Sequence, residues 1–236
     1  MNKKRYAAVS CINEEIINAL EKYSLIPVQV EPYKGLNENP ESTHADMQIL
    51  TVNNTVVLLK NNTSFNSRVL PLLSDRKVVY TDNEIVSFKY PECVKLNVLM
   101  AGHNAIADFK HADGAVKRLL DGYNLINVKQ GYAKCCTAVV DDNSVITADE
   151  SIYKAAVMNN INCLKITPGH IDLCERYYGF IGGCSFKPDN NTIVFTGDID
   201  THPDSESIIS FCTERNVKVE SLTNKPLFDV GGVIII

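Results

Sequence analysis

Apolar runs and short polar turns alternate along the chain in a pattern that recurs four times. In each case an apolar run, a polar turn and a second apolar run follow one another, and the four segments are Met47–Leu59, Leu96–Phe109, Thr137–Ala148 and Gly183–Thr196. The turns consist mainly of Asn, Asp, Gly and Pro, which tolerate or preset the backbone angles of turns. The pattern therefore predicts four β-hairpins.

A helical stretch and a short apolar strand follow each predicted hairpin. Asp113, Asp149 and Asp204 precede three of the helical stretches as predicted N-caps, and Ser64 or Asn66 is the predicted cap of the remaining one. The closing strands are Lys77–Thr81, Asn124–Val128, Ile161–Ile166 and Val217–Leu222. The sequence thus predicts a strand–strand–helix–strand unit that repeats about every 40 to 50 residues.

The two ends of the sequence together predict a fifth unit. Near the N-terminus, RYAAVS and IPVQVE are predicted strands, and the stretch between them is a predicted helix capped by Asn13. This copy lacks the first hairpin strand, and the apolar segment FDVGGVIII at the C-terminus supplies it if it pairs beside RYAAVS. Such pairing closes the units into a ring without an exposed edge strand.

The predicted fold is therefore α+β, a single domain over residues 1–236 that forms a five-bladed α/β propeller closed by the C-terminal strand. Its units cover roughly residues 1–40 plus 226–236, 41–90, 91–130, 131–170 and 171–225. This architecture resembles the pentein fold of the guanidino-group-modifying superfamily, which includes amidinotransferases, dimethylargininases, deiminases and a non-catalytic translation factor. The segments YAKCCTAVVDD, YGFIGG and THPD resemble an uncharacterised bacterial branch of that superfamily.

The resemblance implies that any chemistry takes place at the centre of the ring. In the catalytic families, carboxylates bind a guanidinium cation, a His transfers protons and a Cys attacks the central carbon. Tyr132 stands where those families have the His, and Ile236 stands where the Cys would follow Gly231-Gly232. The sequence therefore predicts either a divergent guanidino- or amidine-modifying hydrolase or transferase, or a non-catalytic member that binds a small molecule or a protein.

Replacement groups for the missing His and Cys are found at the starts of the predicted units. His44 and Asp46 are two positions apart, so on a strand both side chains would share one face. Cys135 and Cys136 are adjacent and would point to opposite faces of a strand. Cys184 follows a Gly-Gly pair at the start of the last unit.

Two neighbours of the cysteines extend this candidate site. On a regular strand, Tyr132 and Lys134 would share the face of Cys136. The predicted catalytic residues are His44, Cys135, Cys136, Cys184 and His202, and the predicted substrate-binding residues are Asp46, Tyr132, Lys134, Asp198, Asp204 and Asp229.

The segment GDIDTHPD is the densest polar group of the chain and supports a third interpretation. Asp198, Asp200, His202 and Asp204 occupy alternate positions, so an extended backbone would align their side chains. Histidine and carboxylates in such an array can bind a divalent metal. A metal-dependent hydrolase that uses Asp198, Asp200 and His202 is thus an alternative, while the preferred interpretation needs no cofactor.

Composition restricts the partners. The 236 residues include 23 basic and 28 acidic side chains, for a formal net charge of -5, which argues against binding to nucleic acids or anionic membranes. No apolar run approaches the roughly 20 residues that span a bilayer, and the N-terminus lacks the apolar stretch of a signal peptide. We expect a cytoplasmic protein whose partner is a cationic small molecule, and the oligomeric state stays open, a homodimer included.

Overall fold

Short strands and helices alternate along the whole chain. The computed structural model describes residues 4–32, 40–84, 87, 89–174 and 177–236. Its strands are β1 (Arg5–Ser10), β2 (Leu25–Val30), β3 (Ile49–Val52), β4 (Thr55–Leu58), β5 (Lys77–Tyr80), β6 (Leu99–Ala101), β7 (Asn104–Ala107), β8 (Asn124–Asn127), β9 (Thr137–Asp141), β10 (Ser144–Thr147), β11 (Asn162–Lys165), β12 (Asp172–Cys174), β13 (Tyr177–Tyr178), β14 (Ser185–Asp189), β15 (Thr192–Phe195), β16 (Lys218–Ser221) and β17 (Ile234–Ile235).

The helices are short and lie between the strands. The α-helices are α1 (Glu14–Ala19), α2 (Ala45–Gln48), α3 (Thr63–Val69), α4 (Gly114–Leu119), α5 (Glu150–Met158) and α6 (Ser205–Thr213). Single turns of 3₁₀ helix are found at Leu20–Tyr23, Pro40–Thr43, Leu70–Leu72, Glu92–Val94 and Ile199–Thr201. None of the helices in the described ranges has the length and apolar character that a membrane span requires.

Five three-stranded sheets in the described part of the chain share one pairing scheme. Their strand orders are β17-β1-β2, β3-β4-β5, β6-β7-β8, β9-β10-β11 and β14-β15-β16, and β12 and β13 form a separate two-stranded ribbon. In each three-stranded sheet the central strand is antiparallel to the first strand and parallel to the third. A helix connects each parallel pair, as parallel neighbours require a crossover. The result is a mixed α/β fold of small sheets.

The C-terminal strand takes the place of the missing hairpin strand in the first sheet. Ala7 lies opposite Ile235 and Ala8 lies opposite Ile234 in an antiparallel pair. The backbone N–H of Ile236 also donates to the carbonyl of Tyr6. The strand that closes the first unit therefore comes from the other end of the chain, as the sequence pattern predicts.

Helix capping follows the predicted pattern at three helices and departs from it at two. Asn13, Asp113 and Asp149 accept hydrogen bonds from the first-turn amides of α1, α4 and α5. Helix α3 is capped by Asn62 and not by Ser64 or Asn66, both of which lie inside the helix. Asp204 makes no capping bond to α6, because its carboxylate accepts instead from the backbone N–H of Thr167 at 2.5 Å.

Five buried apolar clusters each join two sheets. Successive sheets in chain order share four of them, and the fifth joins the last sheet to the first. One member from each of the two sheets represents each cluster: Ala8 and Ile49, Val57 and Ala105, Leu99 and Val145, Ala138 and Ile193, and Val9 and Val194. Each sheet thus packs against a neighbour on both faces, which explains why its strands are apolar on both sides.

Candidate active site

The first part of the candidate site comes from the loop before β3. His44 and Asp46 are almost fully buried, with exposed fractions of 2% and 1%. The prediction that His44 and Asp46 share a strand face is wrong here, because His44 is the N-cap of the four-residue helix α2 and Asp46 lies inside that helix. The helix is held from outside, since the N–H of Asp46 donates to the carbonyl of Gly231 at 3.0 Å.

Gly231 brings the C-terminal segment against this helix. Its backbone has φ of +70°, a left-handed conformation that favours glycine, and a Cβ at this position would overlap the side chain of His44. Its N–H donates to Oδ1 of Asp229 at 2.8 Å. The Gly-Gly pair therefore allows the C-terminal segment to pass directly beside His44.

The second part comes from the turn before β9. Lys134, Cys135 and Cys136 lie in this turn and not on a strand, and the N–H of Cys136 donates to the carbonyl of Tyr132 at 2.8 Å. The prediction that Lys134 shares a strand face with Cys136 therefore fails. A Cβ added to Gly232 would lie 3.9 Å from Nζ of Lys134 and 4.0 Å from Oδ2 of Asp46, so both groups border that glycine.

Cys135, Asp46 and His44 meet at one point. The thiol of Cys135 donates to Oδ2 of Asp46 with an Sγ–Oδ2 distance of 3.0 Å. One ligand-type atom of each of the three side chains lies within 4.8 Å of the other two. The sequence proposes all three residues separately, and the structure brings them together.

Asp229 forms the fourth side of this group. Its Oδ1 atom lies 4.0 Å from Nδ1 of His44, and both residues are buried. Backbone amides of Gly231 and Phe180 donate to its two carboxylate oxygens, each at 2.8 Å. The carboxylate is thereby fixed beside the imidazole, at a distance too long for a direct hydrogen bond.

Asn97 is a member of the site that the sequence analysis missed. Its Nδ2 donates to Sγ of Cys135 at 3.0 Å, and its Oδ1 accepts from the amides of Lys134 and Cys135 at 2.8 and 3.3 Å. The residue is fully buried. The signal was a single amide inside the apolar run that opens the third unit, two residues before β6, as Cys135 is two residues before β9.

Burial controls the protonation of the central pair. It raises the pKa of Asp46 to about 6, against the opposing charges of His44 and Lys134. Burial, together with the charges of Asp46 and Asp229, raises the pKa of the Cys135 thiol well above its usual range. The resting site therefore holds a protonated thiol, which donates to Oδ2 of Asp46.

Several polar atoms of the site lack a partner. Nδ1 and Nε2 of His44 and Oδ1 of Asp46 are buried and have no hydrogen-bond partner within the described part of the chain. Buried polar groups are nearly always satisfied, so unpaired atoms on two neighbouring buried residues indicate a place for a ligand. The arrangement offers a nucleophilic sulfur, two carboxylates and an imidazole to such a ligand.

The other two candidate nucleophiles lie in apolar surroundings. Cys136 packs in the cluster that joins the third and fourth sheets, among residues such as Leu99 and Val145. Cys184 packs in the next cluster, and its thiol donates to the carbonyl of Ile181. Burial raises the pKa of both thiols well above the usual range. Neither joins the group of His44 and Asp46.

Tyr132 borders the site as an aromatic side chain and is held by an acid. Its hydroxyl donates to Oε2 of Glu41 at 3.0 Å, and its ring stacks on Phe180 with a centroid separation of 6.4 Å. Burial, the thiol of Cys93 and the charge of Glu41 raise its pKa far above the ordinary tyrosine value. The side chain at the position of the family's His therefore stays protonated.

The predicted metal array at Asp198–Asp204 is not formed. Ile199–Thr201 is a 3₁₀ turn instead of an extended strand, and Asp198 accepts from the N–H of Asp200, whose side chain is exposed. His202 is buried and accepts from the N–H of Asp204 on Nδ1. Over the described ranges, the group that does gather metal-ligand atoms is the one formed by His44, Asp46 and Cys135.

Comparison with solved structures identifies the class of fold. An amidinotransferase of saxitoxin biosynthesis from Microseira wollei superimposes with a TM-score of 0.59 at 10% identity, over 88% of this chain and 72% of that chain. Agmatine deiminase from C. jejuni with bound substrate gives a TM-score of 0.59 at 10% identity, over 99% and 93%. DDAH from Pseudomonas aeruginosa with citrulline gives 0.55 at 11% identity, over 98% and 99%.

These similarities show that the chain shares the fold of the guanidino-group-modifying, or pentein, superfamily. At such low identities they establish the fold and no activity. The sequence search against curated proteins found no match. The chain belongs to the family described as "Family of unknown function (DUF6873)", whose model matches residues 8–234.

Proposed function

We propose that this protein is a divergent guanidino- or amidine-modifying hydrolase or transferase with Cys135 as nucleophile. The observation that carries the proposal is the convergence of His44, Asp46 and Cys135 within 4.8 Å in a buried site. Thiol, imidazole and carboxylate are the groups that nucleophilic catalysis on a planar cation requires. The fold shared with amidinotransferases and agmatine deiminase supports this class of substrate.

We further infer that the five sheets are the blades of a closed ring. The inference is supported by the apolar cluster between the last and first sheets and by the pairing of β17 with β1. The proposed units are those of the sequence pattern: residues 1–40 plus 226–236, 41–90, 91–130, 131–170 and 171–225. In this arrangement His44 and Cys135 enter the centre from the segments that precede the first hairpin strands of two units.

The substrate would be held by the two buried carboxylates. Oδ1 of Asp46 has no partner among the described residues, and Oδ1 of Asp229 lies 4.0 Å from Nδ1 of His44. Carboxylates bind guanidinium groups through paired, charge-assisted hydrogen bonds. A guanidino or amidine cation would thus supply positive charge that the two buried carboxylates need. Lys134 already supplies one positive charge, so the site would accept a single cation.

The reaction would begin with proton transfer from the thiol to the carboxylate. The Cys135 thiol proton passes along the existing hydrogen bond to Oδ2 of Asp46, and a bound cation favours the resulting thiolate. The sulfur then forms a bond to the central carbon, and the electron pair of the C=N bond moves to nitrogen. When that pair returns, the C–N bond breaks and the leaving amine takes a proton from His44.

The remaining steps regenerate the thiol. An amidino carbon stays bound to Sγ of Cys135 as a thiouronium group. Water, or an amine in a transferase, attacks this carbon and gives a proton to His44, and the C–S bond then breaks. After attack by water, the protonated ureido product releases its extra proton to solvent. The released thiolate recovers its proton from Asp46, so that each group ends in its starting state.

A non-catalytic binding role is the alternative that a specific observation favours. The thiol of Cys135 is buried and its pKa is raised well above the ordinary value, which keeps it unreactive in the resting protein. In that role the same carboxylates would bind the cation without chemistry.

The free thiols of Cys93, Cys135, Cys136, Cys184 and Cys212 fit a reducing compartment, which supports our proposal of a cytoplasmic location.

Turnover of arginine, agmatine and methylated arginines tests the proposal. The chelator-treated protein would be assayed for release of urea, ammonia, amines or ureido products, and acid-quenched samples would be searched by mass spectrometry for an adduct on Cys135. We expect turnover in the wild type and in Cys136→Ala, and none in Cys135→Ala. Saturable binding by calorimetry without turnover of any of these compounds would favour the binding role and overturn the catalytic one.

A further inference from the structure

We propose that His44, Asp46 and Cys135 form a binding site for a zinc-like divalent metal ion. The three side chains offer a nitrogen, an oxygen and a sulfur ligand within 4.8 Å of one another, and all three residues are buried. This inference goes beyond the proposed function and does not depend on it. The residues would bind the ion whether or not Cys135 attacks a substrate.

The distances suit a tetrahedral ion. Zinc bonds of about 2.0 Å to nitrogen and oxygen and about 2.3 Å to sulfur place neighbouring ligand atoms roughly 3.3 to 3.8 Å apart. Sγ of Cys135 and Oδ2 of Asp46 are 3.0 Å apart, and the imidazole of His44 lies within 4.8 Å of both. Small rotations of these side chains would therefore form three of the four bonds.

The unpaired atoms of His44 are an independent indication. Neither ring nitrogen has a hydrogen-bond partner in the described ranges, although the side chain is 2% exposed. A metal on one nitrogen and the carboxylate of Asp229 on the other would satisfy both atoms. Nδ1 lies 4.0 Å from Oδ1 of Asp229, so Nε2 is the nitrogen assigned to the metal. A carboxylate behind a metal-bound histidine is a common supporting contact.

The supporting groups and the charges agree with this assignment. Nδ2 of Asn97 donates to Sγ of Cys135, which stabilises a thiolate ligand, and the amides of Phe180 and Gly231 hold Asp229 in place. With Cys135 and both aspartates ionised, the cluster holds three negative charges. Lys134 and one divalent ion would balance them, which a buried site requires.

The binding would also control any chemistry at Cys135. A sulfur that is bonded to the metal cannot attack a guanidinium carbon, because its electron pair is already shared. Metal and substrate would therefore compete for the same thiolate. Three protein ligands leave the fourth position of the ion open to water, the arrangement of zinc sites that exchange ligands.

Titration of the full-length, chelator-treated protein with Co²⁺ tests the inference by spectroscopy. We expect one ion per chain, an intense thiolate-to-cobalt band in the near ultraviolet and visible bands of a tetrahedral centre, all displaced by Zn²⁺. Cys135→Ser should lose the thiolate-to-cobalt band. His44→Gln should lose the visible bands of the tetrahedral centre. Asp229→Asn, which removes the negative charge beside His44 and one of the two backbone hydrogen bonds that the carboxylate accepts, should weaken the affinity by about 10- to 100-fold.

Matched variants make the result decisive. Cys136→Ser removes the thiol adjacent to Cys135, and His202→Gln removes a buried histidine outside the site. Both variants should keep the full cobalt spectrum. Retention of the sulfur band in Cys135→Ser, or its loss in Cys136→Ser, would overturn the proposal. If a ligand variant fails to fold, the wild type can be treated with an alkylating reagent in the presence and absence of Zn²⁺. Bound Zn²⁺ should slow the alkylation of Cys135, and mass spectrometry of the Cys135 peptide measures this. Equal alkylation with and without Zn²⁺ would overturn the proposal.

Binding and turnover can be separated. Absence of turnover in the chelator-treated protein would overturn the proposed enzyme activity. The metal site would still be tested by the cobalt spectrum. Conversely, turnover together with a cobalt titration that shows no sulfur–cobalt band would overturn the proposed metal site and support the proposed activity. If both are present, Zn²⁺ should inhibit competitively with the guanidino compound.

Discussion

The thiol of Cys135 donates a hydrogen bond of 3.0 Å to Oδ2 of Asp46, although the two residues are 89 positions apart in the chain. Each precedes the first strand of a hairpin, β9 in one case and β3 in the other. A repeated unit places equivalent segments near one another, so side chains that precede equivalent strands can meet. The contact thereby couples the state of one acid to the reactivity of one thiol.

This coupling predicts that Asp46→Asn makes Cys135 more reactive in metal-free protein. The charge of Asp46 raises the pKa of the thiol, so its removal should lower that pKa and increase the thiolate fraction at a fixed pH. Each unit of pKa corresponds to about a tenfold change in that fraction. The measurement is the rate of alkylation of the Cys135 peptide by mass spectrometry.

The neighbouring thiol provides the control for this experiment. Cys136 is also buried but packs among the apolar residues between the third and fourth sheets, so its alkylation rate reports local opening of the chain. We expect the rate at Cys135 to rise and the rate at Cys136 to stay nearly unchanged. An equal rise at both cysteines would show that the substitution loosens the structure and that charge is not the cause.

The proposed mechanism predicts different effects for His44→Gln and Tyr132→Phe. The raised pKa of Tyr132 keeps its hydroxyl protonated and bonded to Glu41, so the hydroxyl cannot exchange protons with a substrate. We expect Tyr132→Phe to keep kcat within severalfold and His44→Gln to lower it by about 10² to 10⁴. Steady-state kinetics measures both, and a larger loss in Tyr132→Phe would reverse the assignment.

The repeating fold could be predicted because its signals are local. The turns are marked by residues such as Asn53 and Asp142, and three of the five predicted caps, Asn13, Asp113 and Asp149, bond as expected. The position of the last strand followed from the shortage of one strand in the first unit. These inferences needed only residue types and the period of the pattern.

The site could be predicted only in part because its geometry is set by distant segments. Helix α2 is four residues long and is held by the carbonyl of Gly231, for which the sequence around Asp46 has no signal. The choice between Cys135 and Cys136 depends on the turn before β9, where the pattern predicts a strand. Asn97 was missed because one amide in an apolar run has no motif.

The pairing of β17 with β1 predicts that Ile234 is required for stability. Ile234 is 9% exposed and packs with Ala8, Val28 and Ile49 in the cluster between the first two sheets. Ile234→Ala should lower the free energy of unfolding by about 2 to 5 kcal/mol, since it removes buried methyl groups and leaves a cavity. Urea denaturation measures the change.

An exposed side chain gives the matched control for that truncation. Met158 is 82% exposed at the end of α5, so Met158→Ala should change the free energy of unfolding by no more than about 0.5 kcal/mol. If Ile234→Ala were as mild as Met158→Ala, the C-terminal strand would not be part of the core. The role of β17 in joining the two ends of the chain would then have to be abandoned.

The contact between Gly231 and His44 predicts a loss of site function from a single methyl group. Gly231 has φ of +70° and lies against His44, whereas Gly122 has φ of +88° and no atom within 4 Å of the position that a Cβ would take. An alanine at either position carries the strain of a left-handed backbone, of about 1 to 2 kcal/mol.

Only Gly231→Ala should also displace His44. This variant should therefore lose cobalt binding and turnover, while Gly122→Ala keeps both. The unfolding curve of Gly122→Ala gives the backbone strain alone, and the cobalt spectrum of Gly231→Ala gives the local effect on His44. Equal behaviour of the two variants in the cobalt titration would show that the backbone at Gly231 does not position His44.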